Sequence, residues 1–143
     1  MINKPDTKSL LSGLYYFYNI IEQRLEKALP LTEEHNLSRP QIIILANLAT
    51  GITRGSQLAK AIGVSRQAIQ QQLAELARSD IIMQESDPGD RRANKIRLTN
   101  KGVRVTNNIA DCASKIEQSL CKELGDSNVS ELKRLLNLKF DEE

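Results

Sequence analysis

In SRQAIQQQLAELARS, residues 65–79, Gln67, Gln70, Gln71, Ala74 and Arg78 fall toward one side of a helical wheel, and Glu75 is the only acid. A glutamine amide sets a donor beside an acceptor and pairs two-point with adenine; arginine does so with guanine, and alanine leaves room for a thymine methyl. A merely solvated face more often mixes Glu with Lys. The chemistry on offer is hydrogen bonding to base edges. A second stretch, DPGDRRANKIRLTNKG at 87–102, sets five Lys/Arg and two Asp around a turn. A protruding arginine there fits a narrow minor groove, where the negative potential is strongest. Asp90 is an acid where phosphate should repel it, so its expected role is to brace a neighbouring arginine.

Bond-making chemistry has little to work with. His35 is the only histidine and sits in a polar connector, where it reads as exposed. Cys112 and Cys121 are nine apart with no CxxC and no neighbouring His, and no glycine-rich phosphate loop occurs. No enzyme activity, metal, cofactor or disulfide is expected, and both thiols should be reduced. Cys112 falls on an apolar stripe and reads as a small core residue. Cys121, one step off it, reads as the more exposed thiol.

The elements that position these groups can be read from the chain. Its 143 residues are one ordinary domain's worth, and with 40% hydrophobic residues but no Trp, two Phe and three Tyr, the core must be Leu, Ile and Ala, which favours helices. Leu58, Ala61 and Ile62 mark a short helix, Gly63 supplies the left-handed residue that ends it, and Ser65 caps the next. Ile69, Leu73 and Leu76 form the buried stripe of that second helix. Ile81 and Met83, then Ile96 and Leu98, alternate as two antiparallel strands with one buried face, turned by Pro88 and Gly89. Upstream, SRPQIIILANLA opens with Ser38 as N-cap, Pro40 in the first turn and Gln41 three after the cap, and its run of Ile and Leu predicts a helix buried nearly all round.

Two further regions flank this helix-turn-helix and hairpin. Leu10, Leu14, Phe17, Ile21, Leu25 and Ala28 draw one apolar stripe down a helix that Pro30 should end. Thr99 can cap a helix carrying Val105, Ile109, Cys112, Ile116, Leu120 and Leu124, with Gly125 stopping it and Val129, Leu132, Leu135 and Leu136 following as a second stripe. A small lobe cannot satisfy all three stripes, so a partner is implied; the alternative is a bundle within the chain. Charge divides the same way: from residue 52 to 104 ten Lys/Arg stand against five Asp/Glu, while the whole chain is only +2. A basic middle between acidic ends suits a segment that meets phosphate. No apolar run approaches the ~20 residues of a membrane span, and MINKPDTKSL lacks a signal peptide's apolar region, so the chain reads as cytoplasmic with no membrane partner.

The stretch SRQAIQQQLAELARSDIIMQESDPGDRRANKIRLTNKG resembles the recognition helix and wing of the MarR (multiple antibiotic resistance regulator) family, whose wing reads D-x-x-D-x-R, a small residue, then L-T-x-x-G. Asp87, Asp90, Arg92, Ala93, Leu98, Thr99 and Gly102 match it, and the order of elements matches over essentially the whole chain. Many members carry Arg just before the second Asp; Gly89 stands there, which implies a thinner wing-tip salt-bridge network. The resemblance implies a mainly α fold with a small β-wing. Residues 1–143 would form a single such domain, with 38–98 as the winged helix-turn-helix DNA-binding lobe and 7–29 and 99–139 as dimerisation helices.

By the same resemblance the chain is a transcriptional regulator, a repressor that binds a palindromic double-stranded DNA operator as a homodimer and answers to a small ligand. The DNA-facing set is then Ser38, Arg54, Ser56, Gln57, Ser65, Arg66, Gln67, Gln70, Gln71, Arg78, Asp90, Arg91, Arg92, Lys95 and Lys101, with Arg92 in the minor groove and Asp90 positioning it. Relatives often bind small phenolic or aromatic molecules between the dimer helices and the lobe; Tyr15, Tyr16 and Tyr18 are the candidates to line such a cleft, core and interface packing being the plainer reading. Others sense peroxides through an N-terminal Cys, and this chain has no Cys before Cys112. The rival reading is a winged-helix module that binds protein, which would prefer aliphatic and aromatic residues where residues 65–79 show Gln and Arg.

Overall fold

The computed structural model describes residues 9–29 and 36–138, with the backbone alone at 90–93. Along it run α1 (Leu10–Ala28), α2 (Arg39–Ala49), α3 (Gly55–Ile62), α4 (Arg66–Arg78), β1 (Ile82–Asp87), β2 (Asp90–Leu98), α5 (Asn100–Leu124) and α6 (Asp126–Leu136). Among the described residues the sheet is two-stranded and antiparallel, so the fold is the expected mainly α class with a small β-wing. Two compact units emerge, residues 36–110 and residues 9–29 with 111–138, and α5 runs through both. Pro30 and His35 lie outside the described residues.

Local chemistry sets the element ends. Ser38 opens α2 with a capping box, its backbone N–H donating to Gln41 Oε1 at 3.0 Å. Gly63, at φ 75°, ends α3 in the left-handed conformation, and Ser65 Oγ accepts from the Ala68 N–H at 3.1 Å to start α4. At the end of α4 the left-handed residue is Asp80, at φ 57°, and the Ile81 N–H reaches back to the Leu76 carbonyl at 3.0 Å. Asp tolerates this conformation better than most side chains.

In the unit of residues 36–110 one core is shared by every element. Ile44 and Leu45 of α2, Leu58 of α3, Ile69, Leu73 and Leu76 of α4, Ile81, Ile82, Ile96 and Val105 are all buried. Each contributes about 1.5–3 kcal/mol of transfer free energy. The start of α5 is locked to the α4–β1 connection by the L-T-x-x-G segment. Thr99 Oγ1 donates toward the Asp80 carbonyl at 2.6 Å and accepts from the Gly102 N–H at 2.9 Å. A Cβ on Gly102 would lie 2.0 Å from the Ile81 carbonyl oxygen, which explains the glycine sterically.

In the unit of residues 9–29 and 111–138, Cys112, Ile116 and Val129 are buried. Arg24 grips Glu123 with both terminal nitrogens, at 2.8 and 2.9 Å, and its Nη1 also donates to Ser119 Oγ at 3.3 Å. The Cys112 thiol donates to the Ala28 carbonyl at 3.3 Å, and Lys133 pairs with Glu117 at 2.7 Å.

Three expectations need correction. α2 is not buried nearly all round: it buries Gln41, Ile44, Leu45 and Leu48, while Ile43 is 41% exposed and Ala46 and Ala49 face solvent. On α3 the inward alanine is Ala59, and Ala61 is exposed. On β1 the buried position is Ile82 and Met83 is exposed; Ile81, in the turn that follows Asp80, is buried as well, so the two inward isoleucines are adjacent and do not alternate. Leu124, Leu135 and Leu136 of the terminal stripes are exposed within the chain, in line with the expectation that it cannot cover all three stripes.

Candidate nucleic-acid interface

α4 is held by its apolar side and displays its polar one. Ile69, Leu73 and Leu76 are buried, and Arg66, Gln67, Gln70, Gln71, Ala74 and Arg78 are exposed. The one acid of the helix is drawn off that face: Glu75 is half-buried and accepts from Gln41 Nε2 at 3.0 Å. Ser38 Oγ donates to Gln72 Oε1 at 3.4 Å, so α2 meets α4 through two polar contacts one turn apart. Ser38 is therefore engaged in fixing the helix that the sequence reading set against DNA.

Between the start of α3, α4 and the hairpin lies a cleft of about 300 Å³ lined by Arg54, Gly55, Ser56, Arg66, Gln70, Gln84 and Asn94 over a floor of Leu73 and Ile96. Gln70 leans into it, its Nε2 only 3.0 Å from where a Cβ on Gly55 would stand. Gln67 and Gln71 stay clear of it. Ser56, Gln57, Lys60 and Arg66 border a second, open cleft beside Gly63 and Val64.

The expected cations are arranged less freely than their number implies. Arg54 ion-pairs with Asp87 of β1, Lys101 Nζ donates to the Ser79 carbonyl at 2.9 Å, and Arg78 Nε reaches its own helix at the Ala74 carbonyl, at 3.4 Å. A cation at the end of α4 also answers the negative end of that helix's dipole. Lys95 is half-buried, and its backbone bridges that of Arg54. Asp87 Oδ1 accepts the Gly89 N–H at 2.9 Å; that bond first, then Arg54 and Lys95, holds its carboxyl below the usual carboxylate range. The side chains of Asp90, Arg91 and Arg92 lie outside the described residues, so the bracing of Arg92 by Asp90 does too.

Sequence reading missed Asp87, Gln41 and Glu75 as residues that build this surface. Asp-Pro-Gly carried the signal for Asp87, since Asp before such a turn bonds its own backbone two residues on. For Gln41 and Glu75, 34 residues apart, the sequence holds no local signal. Outside the lobe, Tyr15 and Tyr18 are exposed on α1, Tyr16 is half-buried, and Tyr18 Oη donates to Glu22. Cys121 is half-buried, and burial first, then Asp126 and Glu117, push its thiol upward. That lowers the thiolate fraction an oxidant would attack. Among the described residues no group of His, Cys, Asp and Glu could hold a metal ion, and no helix is long and apolar enough to cross a membrane.

Residues 35–93 match a family model described as MarR family. The fold is shared with solved structures along nearly its whole length. The transcriptional regulator PA4135 is 25% identical with a TM-score of 0.76, covering 90% of this chain and 93% of that one. The PcaV transcriptional regulator from Streptomyces coelicolor, in complex with its natural ligand, is 18% identical with a TM-score of 0.75, covering 95% and 94%. A MepR mutant from S. aureus bound to an oligodeoxyribonucleotide is 24% identical with a TM-score of 0.59, covering 87% and 92%.

Proposed function

We propose that the chain, whose residues 35–93 match a MarR family model and whose fold matches solved regulators, is a repressor that binds a palindromic double-stranded DNA operator as a homodimer. The observation that carries this reading is the exposed face of α4, where Arg66, Gln67, Gln71 and Arg78 stand without an acid because Glu75 is bonded to Gln41. Gln67 and Gln71, one turn apart, read base edges in the major groove. Ser56, Gln57 and Ser65 at the neighbouring helix ends, with Lys95 and Lys101, face phosphate. Arg91 and Arg92 of the wing enter the adjacent minor groove, with Asp90 bracing Arg92. The fold shared with a MepR mutant solved bound to an oligodeoxyribonucleotide supports DNA binding in general.

Dimerisation is supported by the apolar residues that the helical unit leaves uncovered, Leu10, Leu11, Leu14 and Tyr15 of α1 and Leu135 and Leu136 of α6. In this reading residues 7–29 and 99–139 pair two copies about a two-fold axis, and 38–98 is the DNA-binding lobe of one domain. A ligand then acts by changing the spacing of two recognition helices that must meet successive major grooves about 34–36 Å apart. It shifts that spacing only by its differential affinity for the two states. A small aromatic effector belongs to this reading, with Tyr15, Tyr16 and Tyr18 as candidate contacts; PcaV, which shares the fold, is solved in complex with its natural ligand.

The test is binding to the DNA immediately upstream of the chain's own gene, titrated at several stated salt concentrations. The reading expects saturable binding much tighter there than to shuffled duplex, with affinity falling steeply with salt. Equal affinity for both duplexes contradicts it.

A further inference from the structure

β1 and β2 pair in regular register from Ile82↔Leu98 to Ser86↔Asn94, and then the register jumps so that Asp87 pairs with Asp90. Arg91, Arg92 and Ala93 consequently have no residue opposite them on β1. A bulge bends its strand and re-aims the side chains it carries, so its orientation depends on what holds its two ends. On one side the backbone of residues 53–54 adds to the sheet: the Ile96 N–H donates to the Thr53 carbonyl at 2.8 Å, and Arg54 bridges Lys95. On the other side the last rung is Asp87↔Asp90, and there the Arg54 guanidinium arrives from outside the hairpin to pair with Asp87 Oδ2. The second oxygen of that carboxylate is taken by the Gly89 N–H, so the turn and the ion pair share one residue.

Arg54 thus grips both sides of the bulge, the near side through its backbone and the far side through its side chain. It does so from the N-cap of α3, where Ser, Thr, Asp or Asn is the stabilising choice, and its side chain caps nothing. The Asp87 side chain is 17% exposed and that of Arg54 41%, so the pair lies at the surface with its carboxylate the better covered partner. We propose that Arg54 and Asp87 are positioning residues that hold the Arg91–Ala93 bulge against the helix-turn-helix, so that Arg54 acts on DNA affinity through Asp87 and not by touching phosphate. The inference rests on the DNA-binding reading above.

A double-mutant cycle tests it, using the duplex that the wild-type protein enriches from a random-sequence library. Asp87→Asn keeps an oxygen for the Gly89 N–H while removing the charge that Arg54 meets. Asp87→Asn and Arg54→Gln are each expected to weaken binding about fivefold at fixed salt. The double variant should bind no more weakly than either single one, and Arg54→Lys should retain most of the affinity. The footprint should contract in the minor grooves and keep its major-groove contacts, a change that general loss of structure would not produce. A phosphate contact gives the opposite pattern: Asp87→Asn, by removing a negative charge, tightens binding, Arg54→Gln weakens it, and the effects add. That outcome overturns the proposal. If the wild type enriches no sequence, the DNA-binding reading itself falls and takes the proposal with it; an additive cycle on an enriched duplex sinks the positioning role alone.

Discussion

In the unit of residues 36–110 the inward leucines of α2, α3 and α4 are fully buried, with Leu45, Leu58 and Leu73 at 0% exposure. In the unit of residues 9–29 and 111–138, α1 buries none of its 19 residues, and Leu10 and Leu11 stay about four-fifths exposed at 80% and 79%. The same chemistry of Leu and Ile gives opposite results because each helix of the first unit has one side packed on a shared core, whereas α1 in the second has no buried residue. One unit therefore closes a core of its own while the other leaves apolar residues of α1 and α6 uncovered, which is what the proposed dimer would use.

The largest effect is expected where the arms are open. Leu11→Glu with Leu14→Glu alters residues that no core of the single chain uses, yet in a two-fold interface each copy must desolvate the new charges, at a cost of several kcal/mol. Sedimentation should show a monomer whose far-ultraviolet dichroism remains helical. A dimer of undiminished affinity would close the supposed difference between the two regions.

Next comes the closed lobe. Gly102→Ala must push α5 away from the Ile81 carbonyl, an overpacking that costs about 1–3 kcal/mol. Denaturant unfolding should show that loss while the protein stays dimeric. An unchanged midpoint would mean the lobe is looser than its packing implies.

On the lobe's outer face, Gln67→Ala and Gln71→Ala should leave both stability and assembly alone and relax preference at particular base pairs by about 1–3 kcal/mol each. Arg92→Ala should weaken binding by a similar amount and lower the salt slope by about one ion. Competition among single-base operator variants reads both effects; a Gln variant that keeps the wild-type ranking is not a base reader.

The smallest effect separates the regions by pH. Glu123 in the arms is held below its ordinary range first by Arg24 and then by Ser119, and Asp87 in the lobe by Gly89 and then Arg54. A depressed carboxylate contributes stability that is present above its unfolded pKa, about 4, and is lost as pH falls through the folded value. The melting temperature should therefore be flat near neutrality and decline only below about pH 4, with Glu123→Gln flattening part of the decline. A decline that begins near pH 6 would point to another group.

Much of this was legible because it is local. Ser38, Gly63, Ser65 and Thr99 mark their own helix ends, and the apolar spacing of Ile69, Leu73 and Leu76 sets the buried side of α4. What escaped is pairwise over distance. Ile81 and Ile82 are adjacent and both buried, which strict alternation does not foresee, and they follow the left-handed residue Asp80. The bulge at Arg91–Ala93 exists only relative to the opposite strand, and the Arg54–Asp87 pair left no local signal because its partners lie 33 residues apart. Ile43 turned outward because a run of four apolar residues covers every side of a helix while α2 has neighbours on only one.

The most direct measurement is the sequence of duplexes that the wild-type protein enriches from a random library. Two closed lobes joined through open arms predict an inverted repeat whose half-site centres lie one helical turn, about 10–10.5 base pairs, apart or a multiple of that. Enrichment of a lone half-site without symmetry, or of no sequence at all, would contradict the account.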